Sequence, residues 1–185
     1  DAVKEINRGI IYCQVKGFGT GSPYENSLAF DMIAQAAGGP ISVTGEGDRA
    51  PVKPGPSFGD TGTGMLMAVS ILGALYQRTR TGQGRRLQVA MQDAMIHYMR
   101  VPFSRTQQSG QAPVRNGSSR SNPALAPSAL YPCKGGGPND YAYIFTSRAN
   151  PDHWRRLLKA IEREDLIDDA RYDTGPARGQ RAAEV

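Results

Sequence analysis

Phe58-Gly59-Asp60-Thr61-Gly62-Thr63-Gly64 opens the stretch that decides the fold, and residues 58–100 carry it through. Residues 65–76 form an almost unbroken apolar run, interrupted only by Ser70 and Gly73. A run of that length exceeds a usual strand and predicts a helix; apolar on all sides, it predicts a buried one. Arg78 and Arg80 fall where its last turn would be, complementing the negative helix end, and Gly82 supplies the stop. Residues 86–91 then alternate, with Leu87, Val89 and Met91 facing one way and Arg86, Gln88 and Ala90 the other, as in a strand. Asp93 is placed to cap a second helix through Ala94, Met95, Ile96, Tyr98 and Met99.

Asp60 has two readings. It sits at the mouth of the long helix, among glycines that leave room around its carboxylate. The positive helix end favours the ionised form by ~0.3–1 kcal/mol, up to ~2 when partly buried, and an ionised, accessible carboxylate is able to act as a nucleophile. On spacing alone, however, a helix cap is the more common use of such an aspartate.

Working outward from this stretch, residues 1–8 read as the end of a helix, and 10–15 as a buried strand of β-favouring apolar residues. Gly17, Gly19 and Gly21 make 16–23 a loop in which backbone amides can approach a ligand; Lys16 at its start is available to an anion or to solvent. The glycines lack P-loop spacing. Residues 27–37 predict a helix with Leu28, Met32, Ile33 and Ala36 on one side, ended by Gly38-Gly39-Pro40. A Gly- and Pro-rich connector, 41–57, leads to Asp60. Downstream, the polar tract 105–122 reads as a linker, and Asn122-Pro123-Ala124-Leu125-Ala126-Pro127 precedes a short strand at 129–131. Gly135-Gly136-Gly137 is a turn before a second strand, 141–146. Pro151 is suited to the first turn of a helix whose apolar face is Trp154, Leu157, Leu158 and Ile161. A short helix at 165–170 and a fraying polar tail complete the chain.

The chain of 185 residues is 39% hydrophobic and 21% charged, an ordinary soluble composition with room for one large domain or two small ones. No apolar run in the sequence approaches membrane-span length and no secretory signal opens it. Cys13 and Cys133 form no disulfide framework or zinc pattern, and His97 and His153 are isolated, so no metal site is expected and a reducing cytoplasm is the default compartment. The net charge of +5 comes from scattered arginines without interleaved aromatics, the pattern of a solvated surface rather than a nucleic-acid interface; part of it suits a phosphate-bearing ligand.

Phe58-Gly59-Asp60, the apolar run, Arg80-Thr81-Gly82-Gln83-Gly84-Arg85 and Met91-Gln92-Asp93-Ala94 together resemble the core of the class III CoA-transferases, a superfamily that includes formyl-CoA and carnitine CoA-transferases and α-methylacyl-CoA racemases. Ile10-Ile11-Tyr12-Cys13, Gly17-Phe18-Gly19, Gly21-Ser22-Pro23-Tyr24 and Phe30-Asp31-Met32-Ile33-Ala34-Gln35-Ala36 resemble the segment preceding that core. The likeness implies an α/β fold: part of a Rossmann-like large domain (1–103), a linker (104–128) and an incomplete small α+β domain (129–185), with family segments expected before residue 1 and after residue 185. It implies Asp60 as catalytic nucleophile, coenzyme A bound as acyl-CoA substrate, contacts to it from Leu28, Ala29, Phe30, Asp31 and Met91, a carboxylic acid as second substrate, and an interlocked homodimer without nucleic-acid or membrane partners.

Two departures from the family pattern matter. At 28–31 the formyl-CoA transferases carry Lys, Val, Tyr and Glu; Leu28 brings no charge and Phe30 no hydroxyl, which argues against formate and oxalate as the substrate pair and leaves packing as an equal account of both side chains. The racemases carry Gly-His-Asp where this chain has Ala29-Phe30-Asp31. Phenylalanine cannot exchange a proton, so two-base racemisation lacks a partner and transfer is favoured. A non-catalytic CoA-binding or dimerisation fragment is the third alternative. The family's tetraglycine loop is absent, and its role is not carried to residues 135–137.

Overall fold

The computed structural model describes residues 2–118, 126–147, 150 and 152–184, and divides into two units, 1–115 and 116–185. The first unit holds a parallel β–α–β arrangement. After a short helix α1 (Ala2–Ile6), strand β1 (Ile11–Lys16) pairs in parallel with β2 (Arg85–Ala90), from Ile11 opposite Arg85 to Lys16 opposite Ala90. Helices α2 (Asp31–Gly38) and α3 (Phe58–Thr81) lie between them in the chain, and α4 (Met91–Tyr98) and α5 (Arg100–Ser109) follow β2. A parallel pair needs such a helical crossover, because its second strand must start again from the same end as the first.

Helix α3 ends as its sequence dictates: Gly82 takes a left-handed backbone, φ 66°, and its amide donates to the Arg78 carbonyl at 2.8 Å. Its surroundings differ from expectation. It packs along one side on β1, β2, α2 and α4, while Met65, Val69, Leu72 and Tyr76 form an exposed apolar stripe along another, each more than 60% exposed. By length and composition α3 is also sufficient to cross a membrane, at variance with the expectation that no apolar run is long enough; only 22% of its most apolar window is buried. Uniform apolarity predicts burial on every side, but the described residues supply cover for one side only.

Strand β1 is corrected in the same sense: none of its six residues is buried, because among the described residues one neighbour strand alone pairs with it. In β2 the expected alternation holds from Arg86 to Val89, with Leu87 and Val89 more sheltered than Arg86 and Gln88. Ala90, expected on the side of Arg86 and Gln88, is buried, and Met91 opens the next helix instead of ending the strand. The core of this unit is Ala34, Met91, Ala94 and Met95, with Leu66 packed against it. Helices α2 and α4 approach so closely there that a Cβ on Gly38 would lie 2.2 Å from that of Met95. Helix α2 starts at Asp31 rather than near 27 and turns Asp31, Ala34, Gln35 and Gly38 inward; Leu28 lies outside it, and Met32 and Ile33 are exposed. The polar tract expected as linker from 105 is helical to Ser109, as part of α5. Arg115 ties the 42–49 connector down by donating to the carbonyls of Ser42, Glu46 and Arg49.

The second unit contains an antiparallel pair, β3 (Ser128–Pro132) with β4 (Tyr141–Phe145), then α6 (Asp152–Ala160) and α7 (Gly175–Gln180). The expected start at Pro151 and the 122–125 stretch fall outside the described residues. Trp154 and Leu158 of α6 pack with Tyr172, Leu157, Leu166 and Ile167, whereas Ile161 lies beyond the helix and half exposed. A 3-10 turn at Glu164–Leu166 stands in place of the helix expected at 165–170. The tail does not simply fray. Arg178 of α7 is buried, its guanidinium 4.8 Å from the Trp154 ring centre and donating to the carbonyls of Ala126, Tyr172 and Asp173. A polar pattern hid this, because arginine enters a core only when acceptors satisfy its donors.

Candidate active site

In a parallel β–α–β unit, ligands bind beyond the carboxyl ends of the strands, where the following loops and helix starts meet. Here Lys16 and Ala90 end the two strands side by side. Helix α4 begins directly at Met91, with Ala90 as its extended N-cap, and the Gln92 amide donates to the Gly17 carbonyl at 3.1 Å. Gly17 also meets the approach to α2: a Cβ there would lie 2.4 Å from that of Ala29. The loop beyond is held by Glu25, which accepts from Lys16 Nζ at 2.8 Å and from the Gly21 amide at 2.8 Å. Those two bonds, the backbone one first, hold the Glu25 carboxyl below its ordinary range. Lys16 is thus occupied by a protein carboxylate and not presented to a ligand.

The start of α3 is fastened to the start of α2. Asp31, buried, accepts from the Gly59 amide at 2.8 Å through Oδ1. Gln35 Nε2, one turn on, donates to both Asp31 oxygens at 3.0 and 2.9 Å, and Lys53 Nζ lies 3.9 Å from Oδ2. The fit requires glycine: a Cβ on Gly59 would lie 2.7 Å from the Asp31 carbonyl oxygen and 3.0 Å from Oδ1. A turn later, Tyr98 of α4 donates its hydroxyl to the Gly62 carbonyl at 3.2 Å, with its ring against Gly62. Thr63 is buried, with its hydroxyl on the Gly59 carbonyl.

Asp60 lies within this clamped turn as the third helical residue of α3; Ser57 is the N-cap, and its side chain makes no capping bond. The Asp60 side chain is exposed, and among the described residues it makes no hydrogen bond or ion pair. Of the other expected contacts, Leu28 and Phe30 are exposed, at 87% and 71%. Ala29 lies against Gly17. Asp31 is spent on the protein's own backbone. Met91, expected at a ligand, is packed into the core beside Ala34 and Met95. Asp93 is likewise inside the first turn of α4 and does not cap it. Sequence reasoning missed Gln35, Lys53 and Tyr98 as parts of this site. The one available signal was the Asp31–Gln35 spacing, which puts two polar residues on one helix face.

No group of three or more His, Cys, Asp or Glu suited to a metal ion occurs among the described residues. A surface cavity of about 460 Å³ lies at the opposite, amino ends of the strands, lined by Lys4, Tyr12, Gln14, Arg85 and Arg86 among others. Asp60 is not among its lining residues.

Strand ends, converging helix starts and a carboxylate without a partner among the described residues belong to a mixed α/β protein with a candidate site near the carboxyl edge of a parallel pair. Residues 1–185 match CoA-transferase family III, and the chain belongs to that family. It is 37% identical over 189 residues to formyl-CoA:oxalate CoA-transferase of Streptomyces avermitilis, covering 96% of this chain and 45% of the relative. It is 35% identical over 173 residues to succinyl-CoA:mesaconate CoA-transferase of Haloarcula hispanica, covering 91% and 42%. The crystal structure of a CaiB/BaiF family protein from Brucella suis superposes with a TM-score of 0.78 at 32% identity, over 99% of this chain and 46% of that one. A hypothetical protein from Mycobacterium tuberculosis shares the fold, with a TM-score of 0.77 at 24% identity, over 98% and 46%. The chain spans a little under half the length of these relatives.

Proposed function

We propose that the protein moves CoA between an acyl-CoA thioester and a free carboxylic acid, with Asp60 as the nucleophile. The observation that carries this reading is the Asp60 carboxylate itself: exposed, without a protein partner among the described residues, and held in the first turn of a long helix at the strand edge. In the first step an Asp60 oxygen attacks the thioester carbon, the C–S bond breaks, and CoA leaves as its thiolate, giving an acyl–aspartyl anhydride. The thiolate attacks the aspartyl carbonyl, releases the donor acid as carboxylate and leaves an aspartyl-CoA thioester. The incoming carboxylate attacks that thioester and displaces the thiolate, forming a second anhydride. Return of the thiolate to the new acyl carbon yields the product thioester and restores Asp60. Covalent relay divides one difficult exchange into easier steps.

The amino end of α3 is the positive end of its dipole, a favourable place for an anionic nucleophile. Each tetrahedral intermediate needs hydrogen-bond donors aimed at its oxyanion; the Gly62 and Gly64 amides lie past the first turn of α3, are used by the helix's own hydrogen bonding and are not free for that role. Exposed Leu28 and Phe30 present apolar surface close to the start of α2, which suits a donor or acceptor other than formate and oxalate. In this reading the large domain is Rossmann-like, the reaction is cytoplasmic, and the working assembly is a homodimer, for which the exposed Met65–Val69–Leu72–Tyr76 stripe is the supporting feature.

Hydroxylamine trapping tests the reading. The intact protein is incubated with succinyl-CoA, quenched with hydroxylamine and digested for mass spectrometry. A hydroxamate at Asp60 is expected. Loss of α-deuterium from a branched acyl-CoA without such a mark would instead indicate racemisation.

A further inference from the structure

We infer that Asp31 is the positioning residue for Asp60 and not a ligand contact; the inference rests on the transferase reading above. The geometry is a short chain of bonds. The Asp31 carboxylate holds the Gly59 amide at 2.8 Å, and Gly59 is bonded through its own carbonyl carbon to the Asp60 nitrogen. Asp31 is in turn fixed on its other oxygen by Gln35, which is fully buried and also donates to the Pro56 carbonyl at 3.3 Å. Pro56 and Gly59 flank the entry to α3, so one buried carboxylate–amide pair grips both sides of that entry.

Charge and burial exclude the simpler alternative. Both Asp31 oxygens already accept bonds from the protein, and the residue is buried, so it has little to offer an incoming ligand. The bond to Gly59 is charge-assisted, which makes it stronger than a neutral one and well suited to setting a helix start. A free first-turn amide otherwise bonds water and lets the turn fray. Fraying at Gly59 would move the very residue whose oxygen must meet a thioester carbon, and a misplacement of about 1 Å in such a group costs roughly a hundredfold in rate.

Gln35 supplies a distinguishing test. Among the described residues its Oε1 has no hydrogen-bond partner. In Asp31→Asn, the side-chain amide oxygen retains the acceptor for the Gly59 amide, and a turned Gln35 amide can accept from the new NH2 group. In Asp31→Ala the bond to Gly59 has no replacement. The experiment compares wild type, D31N and D31A of the intact protein by three measurements: Asp60 hydroxamate formation in a single turnover, steady-state kcat and KM with succinyl-CoA and mesaconate, and amide hydrogen exchange of the 58–63 segment.

Expected are faster exchange at 58–63 in D31A, a drop of about a hundredfold in kcat and in the trapping rate, a KM essentially that of wild type, and recovery of most of the lost protection and rate in D31N. A rise in KM with kcat intact would mark Asp31 as a ligand contact and overturn the inference. So would D31N as impaired as D31A, or unchanged kcat in a folded D31A. If D31A does not fold, G59A breaks the same junction from the other side and is read by the same three measurements. Failure of wild type to acquire a label at Asp60 overturns the transferase reading itself, and with it the catalytic role given to Asp31. A labelled wild type with indifferent variants overturns only the positioning role.

Discussion

Asp31 and Gly59 share a hydrogen bond of 2.8 Å across 28 residues of sequence, and through it the start of one helix fixes the start of another. The contact tolerates no side chain at Gly59, because a Cβ would sit 2.7 Å from the Asp31 carbonyl oxygen. It also explains why the residue before Asp60 is a glycine rather than a better helix former.

The carboxylate at 60 is separable from the fold. Asp60→Asn keeps the size of the side chain and removes the proposed nucleophile. Transferase activity is expected to fall by more than about a thousandfold, with no hydroxamate formed. Stability should change by about 0.5 kcal/mol, in line with an exposed first-turn charge. Single-turnover trapping and thermal melting check the two halves.

Glycines along α3 divide by what faces them. Gly62 lies against the Tyr98 ring, with 2.5 Å between a Cβ and the ring edge, so Gly62→Ala overpacks the junction and costs on the order of 1–3 kcal/mol. Gly64 has nothing within 4 Å, and Gly64→Ala is expected to stabilise by roughly 0.4–1 kcal/mol through the unfolded chain. Urea unfolding of both variants gives opposite signs if the packing described is right.

Arg178 ties the second unit together. Burial pushes its guanidinium below the ordinary arginine range, yet three carbonyls and the Trp154 ring hold it. Arg178→Met leaves buried carbonyls without donors and is expected to destabilise this unit by about 1–3 kcal/mol. Exchange protection should fall around Ala126 and Tyr172 while the residues around Asp31 and Gly59 keep theirs. Leu158→Ala, at a fully buried position, provides the comparison at about 2–5 kcal/mol.

The 17–25 loop carries a pH dependence with a defined sign. Glu25 has a depressed carboxyl pKa in the folded state, so its contribution is fully present above the unfolded value of about 4.3 and is lost as pH falls through the folded value. Acidification should therefore release the Gly21 amide and free Lys16 before the helices unfold. Amide exchange or NMR at Gly21 between neutral and strongly acidic pH checks this. Glu25→Gln should show the loosened loop already at neutral pH.

Local order was legible in the sequence because it rests on short-range rules. The long helix, its stop at Gly82, the alternating strand after it and the hairpin strands near 130 and 143 all follow from periodicity and turn residues. The motif around Asp60 was legible as well, since it is contiguous. Which faces are covered was not. Periodicity states only that a surface is apolar, and so it predicts burial for α3 and β1 on sides that the described residues leave exposed. The same limit hid Arg178, whose donors are satisfied by carbonyls from residues 126, 172 and 173.

The sequence by itself determined that a lone carboxylate would stand at the head of a long apolar helix, in a chain of CoA-transferase family III. Only the tertiary structure decided which residues hold the start of that helix. Met91 and Asp31, neighbours of ligand by resemblance, went to the core and to a backbone amide; Gln35 joined Asp31 at a spacing the sequence does show, while Lys53 and Tyr98 entered from positions that no local pattern marks. The reason is physical: a hydrogen bond between distant segments depends on where whole helices pack, and that packing is fixed by contacts such as Gly17 on Ala29 and Gly38 on Met95, which bring their partners together only after the chain has folded.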